Sequence, residues 1–67
     1  MPIGRQIAAL RARAGLTQTE LARLAGCAQS LICKVESGGG TSLARLQSIS
    51  TALGEYLVLH PAFVADE

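Results

Sequence analysis

Gln29, Ser30 and Lys34 are the side chains of this 67-residue chain best equipped to do chemistry on a partner. A glutamine carboxamide holds a donor and an acceptor side by side, and so can pair bidentately with the N6 and N7 edge of adenine. The Ser30 hydroxyl can give or accept one hydrogen bond, and the Lys34 ammonium can reach guanine O6 and N7 or a phosphate. Taken alone, Gln29 and Ser30 would be ordinary solvated residues of a helix's first turn. What argues for more is the pattern around them.

The other reactive groups point nowhere comparable. Cys27 and Cys33 stand six positions apart, Cys33 within a predicted helix, so their side chains should diverge. No third cysteine accompanies them and His60 is the only histidine, which cannot assemble a four-ligand zinc site within one chain. Both read as unpaired thiols. His60 has no nucleophile or acid partner in sequence, and Gly38-Gly39-Gly40 lacks the Gly-Lys-Ser/Thr ending of a phosphate-binding loop. The expectation is therefore no enzyme, no metal and no cofactor.

The elements that must position Gln29, Ser30 and Lys34 are legible around them. Thr17-Gln18-Thr19-Glu20 is a capping box: the Thr17 hydroxyl can accept from the backbone N–H three residues on, and Glu20 can reach back to the Thr17 N–H. Leu21, Ala22 and Ala25 then face inward, with Leu24 half exposed. Ala22 is small enough for a second helix to approach, and Gly26 can take the positive φ that reverses the chain. Ile32 and Val35 point back into a shared core from a helix over about residues 29–37. Its N-cap position holds Ala28, which forgoes about 1 kcal/mol of capping. This spacing predicts a helix-turn-helix, whose second helix can lie in the DNA major groove.

A first helix is expected over about residues 3–14, with Ile3, Ile7, Leu10 and Ala14 as its stripe and Gly15 as its stop. The glycine run leads to a fourth helix opening at Thr41 or Ser42, with Leu43, Leu46, Ile49 and Leu53 buried and Gly54 closing it. Beyond Gly54 the period changes. Tyr56, Leu57, Val58, Leu59 and His60 are rich in strand formers and stop at Pro61. A lone strand needs a partner for its backbone, and the same segment of a second copy across a two-fold axis is the simplest one. The alternative is a link to a further short helix in a monomer. The expected organisation is a domain over 1–54, a dimerising strand over 55–61 and a tail over 62–67, where Phe63 and Val64 would pack on the dimer or on another protein.

Composition sets the outer bounds. A chain this short buries only about 60% of its unfolded surface, which favours association. Hydrophobic residues make up 49% of it, and no apolar run approaches the roughly 20 residues of a bilayer span. The Met-Pro-Ile-Gly-Arg start lacks the pattern of a secretory signal, so the expected location is cytoplasmic, with no membrane partner. Net charge is only +1, but it is divided. Residues 1–54 carry six Lys or Arg against Glu20 and Glu36, while residues 55–67 carry Glu55, Asp66 and Glu67 with no base. A basic body with an acidic end suits a protein whose body meets phosphate. An ordinary solvated surface would account for the same charges.

Leu-Thr-Gln-Thr-Glu-Leu-Ala at 16–22, Gly26, Ile32 and Val-Glu-Ser-Gly at 35–38 resemble the Cro/cI-type helix-turn-helix repressors, the XRE family, over about residues 3–54. The end of the chain, from Thr41 through Leu59, looks like that of the HipB-type antitoxins, whose last helix runs into a dimerising strand. The resemblance implies an all-α, lambda-repressor-like helical bundle with a short C-terminal dimerising β-strand. It also implies a dimeric repressor that binds double-stranded DNA at a palindromic operator, and possible pairing with a HipA-like toxin kinase.

Mapped onto matching positions, the family's base-reading residues fall at Ala28, Gln29, Ser30, Cys33 and Lys34. Ala28 offers only a methyl contact to thymine, and Cys33 stands where a polar residue is common. Gln18 matches the family's phosphate-binding glutamine at a helix N-terminus, where free N–H groups face an anion. Thr17, Thr41, Ser42 and Arg45 are candidate phosphate contacts beside it, although Arg45 is equally readable as an exposed arginine. Arg11 and Glu36 match a structural ion pair between the first and third helices. The rival to DNA binding is a protein-interaction module of the same fold that has lost it. The modest charge and the capless Ala28 allow that reading.

Overall fold

In the computed structural model, which describes residues 3–60, the chain forms four helices: α1 (Ile3–Arg13), α2 (Gln18–Ala25), α3 (Gln29–Glu36) and α4 (Leu43–Leu59). The capping box at the start of α2 is complete. Thr17 Oγ1 accepts from the Glu20 N–H at 3.0 Å, and the Thr17 N–H donates to Glu20 Oε1 at 2.8 Å. Gly26 ends α2 with φ at 73°, and the Cys27 N–H closes back onto the Ala22 carbonyl at 3.0 Å. That left-handed residue turns the chain into α3, which starts at Ala28 without a side-chain cap.

The helices meet over a small aliphatic core. Ile7, Ala14, Leu16, Leu21, Ala22, Ile32, Val35, Ile49 and Leu53 are buried, and Leu21, Ile32 and Ile49 are sealed almost completely. Helix α4 packs chiefly on α2, and α1 packs on α3 and α4. The expected stripes of α1 and α4 are shorter in space than in sequence. Ile3, Leu10 and Leu43 remain exposed, while the core forms around Ile7 and Ala14 on one side and Ile49 and Leu53 on the other.

Gly4 has a role that periodicity does not reveal. It is buried in α1, and a Cβ there would run into the backbone carbonyl of Val35 at the end of α3. The missing side chain lets α1 lie directly against the helix that carries Gln29. Backbone cannot swing aside as a side chain can, so Gly4→Ala is expected to destabilise the fold by about 1–3 kcal/mol. An unchanged urea midpoint would show that α1 can shift without cost.

The strand expected at Tyr56, Leu57, Val58, Leu59 and His60 is not there. Among the described residues there is no strand, and α4 runs through Gly54 to Leu59, with the His60 N–H capping onto the Tyr56 carbonyl at 2.9 Å. The physical reason is an unbroken helical period. Ile49 and Leu53 are buried, and Tyr56 and Leu57 continue the same face at the next turn, packed half-buried against the core. Gly54 keeps a negative φ and costs the helix only about 1 kcal/mol relative to alanine. Packing of the following turn offsets that. The intended division at residue 55 therefore falls inside a helix. The tail over 62–67, with Phe63 and Val64, lies outside the described residues. No helix among the described residues is long and apolar enough to cross a membrane.

Candidate nucleic-acid interface

Helix α3 presents two different faces. Ile32 and Val35 are buried, while Ala28, Gln29, Ser30, Cys33 and Lys34 are all exposed. Positions 29, 30, 33 and 34 recur at helical spacing, so their side chains share one side of α3, with Ala28 at its N-terminal edge. The turn set by Gly26 and the contact through Ala22 hold this face outward.

Behind that face stands the pair Arg11–Glu36. Arg11 Nε donates to Glu36 Oε2 at 2.7 Å and Nη2 donates to Oε1 at 3.0 Å, a bidentate geometry. Arg11 Nη1 also donates to the Leu16 carbonyl at 2.8 Å, so one guanidinium ties α1 to both the following loop and the end of α3. Burial pushes the Glu36 carboxyl up, but hydrogen bonds from Arg11 and Gln18, together with the Arg11 charge, outweigh it and hold the group below its ordinary range. The hydrogen bond to Glu36 correspondingly raises the guanidinium.

Gln18 links this pair to the exposed face. Its Nε2 donates to Glu36 Oε1 at 3.0 Å, and its Oε1 accepts from Gln29 Nε2 at 2.7 Å. Four residues from three helices thus form one chain of hydrogen bonds, from Arg11 through Glu36 and Gln18 to Gln29. Nothing in the spacing of two glutamines eleven positions apart announces this contact. It arises only once α2 and α3 cross.

The remaining candidates fall elsewhere. Thr17 is exposed at the start of α2 with its oxygen used for capping, and its hydroxyl proton is still available to an acceptor. Thr41 is half-buried, and Ser42 and Arg45 are exposed at the start of α4. Within this second group the Arg45 N–H donates to Ser42 Oγ at 3.2 Å, which caps the start of α4. Cys27 is half-buried and Cys33 exposed, both as unpaired thiols, and among the described residues no cluster of three possible metal ligands occurs.

A family model described as a helix-turn-helix domain matches residues 2–60, nearly the whole chain. The chain belongs to that family. No curated protein and no solved structure matches it. The match covers the helix-turn-helix formed by α2 and α3 and continues through the whole of α4. Membership of the helix-turn-helix family supports a DNA-binding regulator, and it agrees with the outward polar face of α3.

Proposed function

We propose that this helix-turn-helix domain is a sequence-specific regulator of transcription, a repressor. It binds double-stranded DNA as a homodimer, with α3 of each copy in the major groove of one half of an inverted-repeat operator. The observation that carries the proposal is the exposed side of α3, where Gln29, Ser30 and Lys34 stand together with Gln29 braced from behind. Ala28 contributes a methyl at the edge of that face and Cys33 a weak donor at its middle. Gln18 keeps a second N–H for a phosphate, with Thr17, Thr41, Ser42 and Arg45 as further backbone contacts. No catalytic step is assigned, and the setting is the cytoplasm.

Pairing of two copies now needs a surface other than a strand. The last turn of α4 offers one, where Val58 and Leu59 are 78% and 75% exposed side by side. A role as an antitoxin bound to a HipA-like kinase is the narrower reading. It rests on the sequence of α4 alone, since the strand that completed the likeness is replaced by helix.

Selection from a pool of randomised duplexes tests the proposal. The expected product is an inverted repeat with half-site centres about one helical turn, roughly 34 Å, apart. Sedimentation of the complex should show two protomers per duplex, and affinity should fall steeply as salt rises. No enrichment of any sequence, together with no retention on random DNA at low salt, would favour the interaction module instead.

A further inference from the structure

The hydrogen-bond chain behind α3 has a direction, and chemistry fixes it. A carboxylate has only acceptors, and both oxygens of Glu36 already accept from Arg11. The Gln18 atom 3.0 Å from Glu36 Oε1 must therefore be its nitrogen. The oxygen of Gln18 then faces Gln29, so the Gln29 atom 2.7 Å away must in turn be nitrogen. Turning Gln18 over would set oxygen against carboxylate at one end and nitrogen against nitrogen at the other. Gln29 is left with its whole carbonyl and one N–H to offer.

We propose that Glu36 is a positioning residue for base reading: acting through Gln18, it fixes which end of the Gln29 carboxamide donates and which accepts toward the DNA. The inference rests on the DNA-binding reading above. An amide turned by 180° presents donor and acceptor in the reverse order, and adenine's N7 acceptor and N6 donor occupy fixed places on the base edge. A pinned Gln29 fits one order. An unpinned Gln29 accommodates either, and its preference at that base falls. The pair that holds α1 to α3 would thus also sharpen recognition at a position it never touches.

The test uses the full chain and a randomised operator pool. Gln29→Ala first identifies the base position that Gln29 reads. The double variant Arg11→Met, Glu36→Met then removes both part-buried charges and replaces them with flexible apolar side chains of similar length. Expected is a loss of about fivefold or more in preference at that one position, with preferences elsewhere retained and affinity for random DNA within about threefold of the wild type. A merely structural pair would instead blur every position read by α3. That uniform loss, or a folded double variant with unchanged preference, overturns the proposal. Should the double variant not fold, Gln18→Met cuts the chain while leaving the ion pair intact. It should lower affinity generally and lose the same single preference, and retention of that preference overturns the proposal too.

In the free protein, NMR correlation across the hydrogen bond should run from Gln29 Nε2 to the Gln18 carbonyl carbon. The reverse correlation overturns the polarity without reference to DNA. A wild-type protein that shows the expected correlation yet binds no duplex would sink the function proposed above, and the inference about base reading with it.

Discussion

Glu36→Ala is expected to lower stability by about 3 kcal/mol, read as a shift of the urea or thermal midpoint. The Glu36 side chain is only 7% exposed and the Arg11 side chain 19%, so removing the carboxylate strands a guanidinium with little access to water. The loss also deprives Gln18 of its acceptor and loosens α1 from α3. Truncating one partner of such a pair costs far more than replacing both, because the penalty lies in the uncompensated charge. The Arg11→Met, Glu36→Met double variant should therefore sit much closer to the wild type than Glu36→Ala does. If the single and double variants were equally destabilised, the pair would be acting through shape rather than charge.

The same pair gives the fold an acid limit. The Glu36 carboxyl titrates lower in the folded chain than its ordinary value of 4.5, so the folded state favours the ionised form. A depressed carboxyl pKa contributes stability that is complete above the unfolded value and is lost as pH falls through the folded one. The gap between wild type and Glu36→Ala should hold near neutrality and begin to close below about pH 4.5. A gap that stayed constant into strong acid would contradict the assignment.

Gln29→Ala is expected to weaken binding to the selected operator by about 1–3 kcal/mol and to relax the preference at one base position. Random duplex, which offers only phosphate contacts on average, should be bound nearly as before. Gln29 is exposed and its side chain is hydrogen-bonded to Gln18 alone among the described residues, so the folded state should be little affected. The comparison of operator with random DNA therefore separates reading from positioning. Equal losses on both would show that Gln29 does not read a base.

How much of this was legible beforehand differs by element, for a physical reason. The start of α2 and its end at Gly26 were readable from the sequence because caps and left-handed turns are local: Thr17, Glu20 and Gly26 decide them within a few residues. The burial of Leu21, Ala22, Ile32 and Val35 was readable from spacing along two short helices. The set on the outer side of α3 came from the resemblance to the Cro/cI-type repressors, and all five of its residues are exposed. The C-terminal segment was not readable in this way. Tyr56, Leu57, Val58 and Leu59 suit strand or helix, and a glycine before them suggests a stop. Only the packing of Tyr56 and Leu57 onto the core beside Leu53 decides for helix.

Tertiary structure alone decided two further features. Gly4 is an unremarkable helix residue until the Val35 carbonyl occupies the place of its side chain. Gln18 and Gln29 are two polar residues of separate helices until the crossing of α2 and α3 brings their amides to 2.7 Å, with Glu36 behind them. The sequence by itself determined which helix faces outward and which residues it carries, because local turns and periodicity obey short-range sterics. Which way the Gln29 amide points depends on an ion pair spanning 25 positions, and only the folded chain brings those charges together.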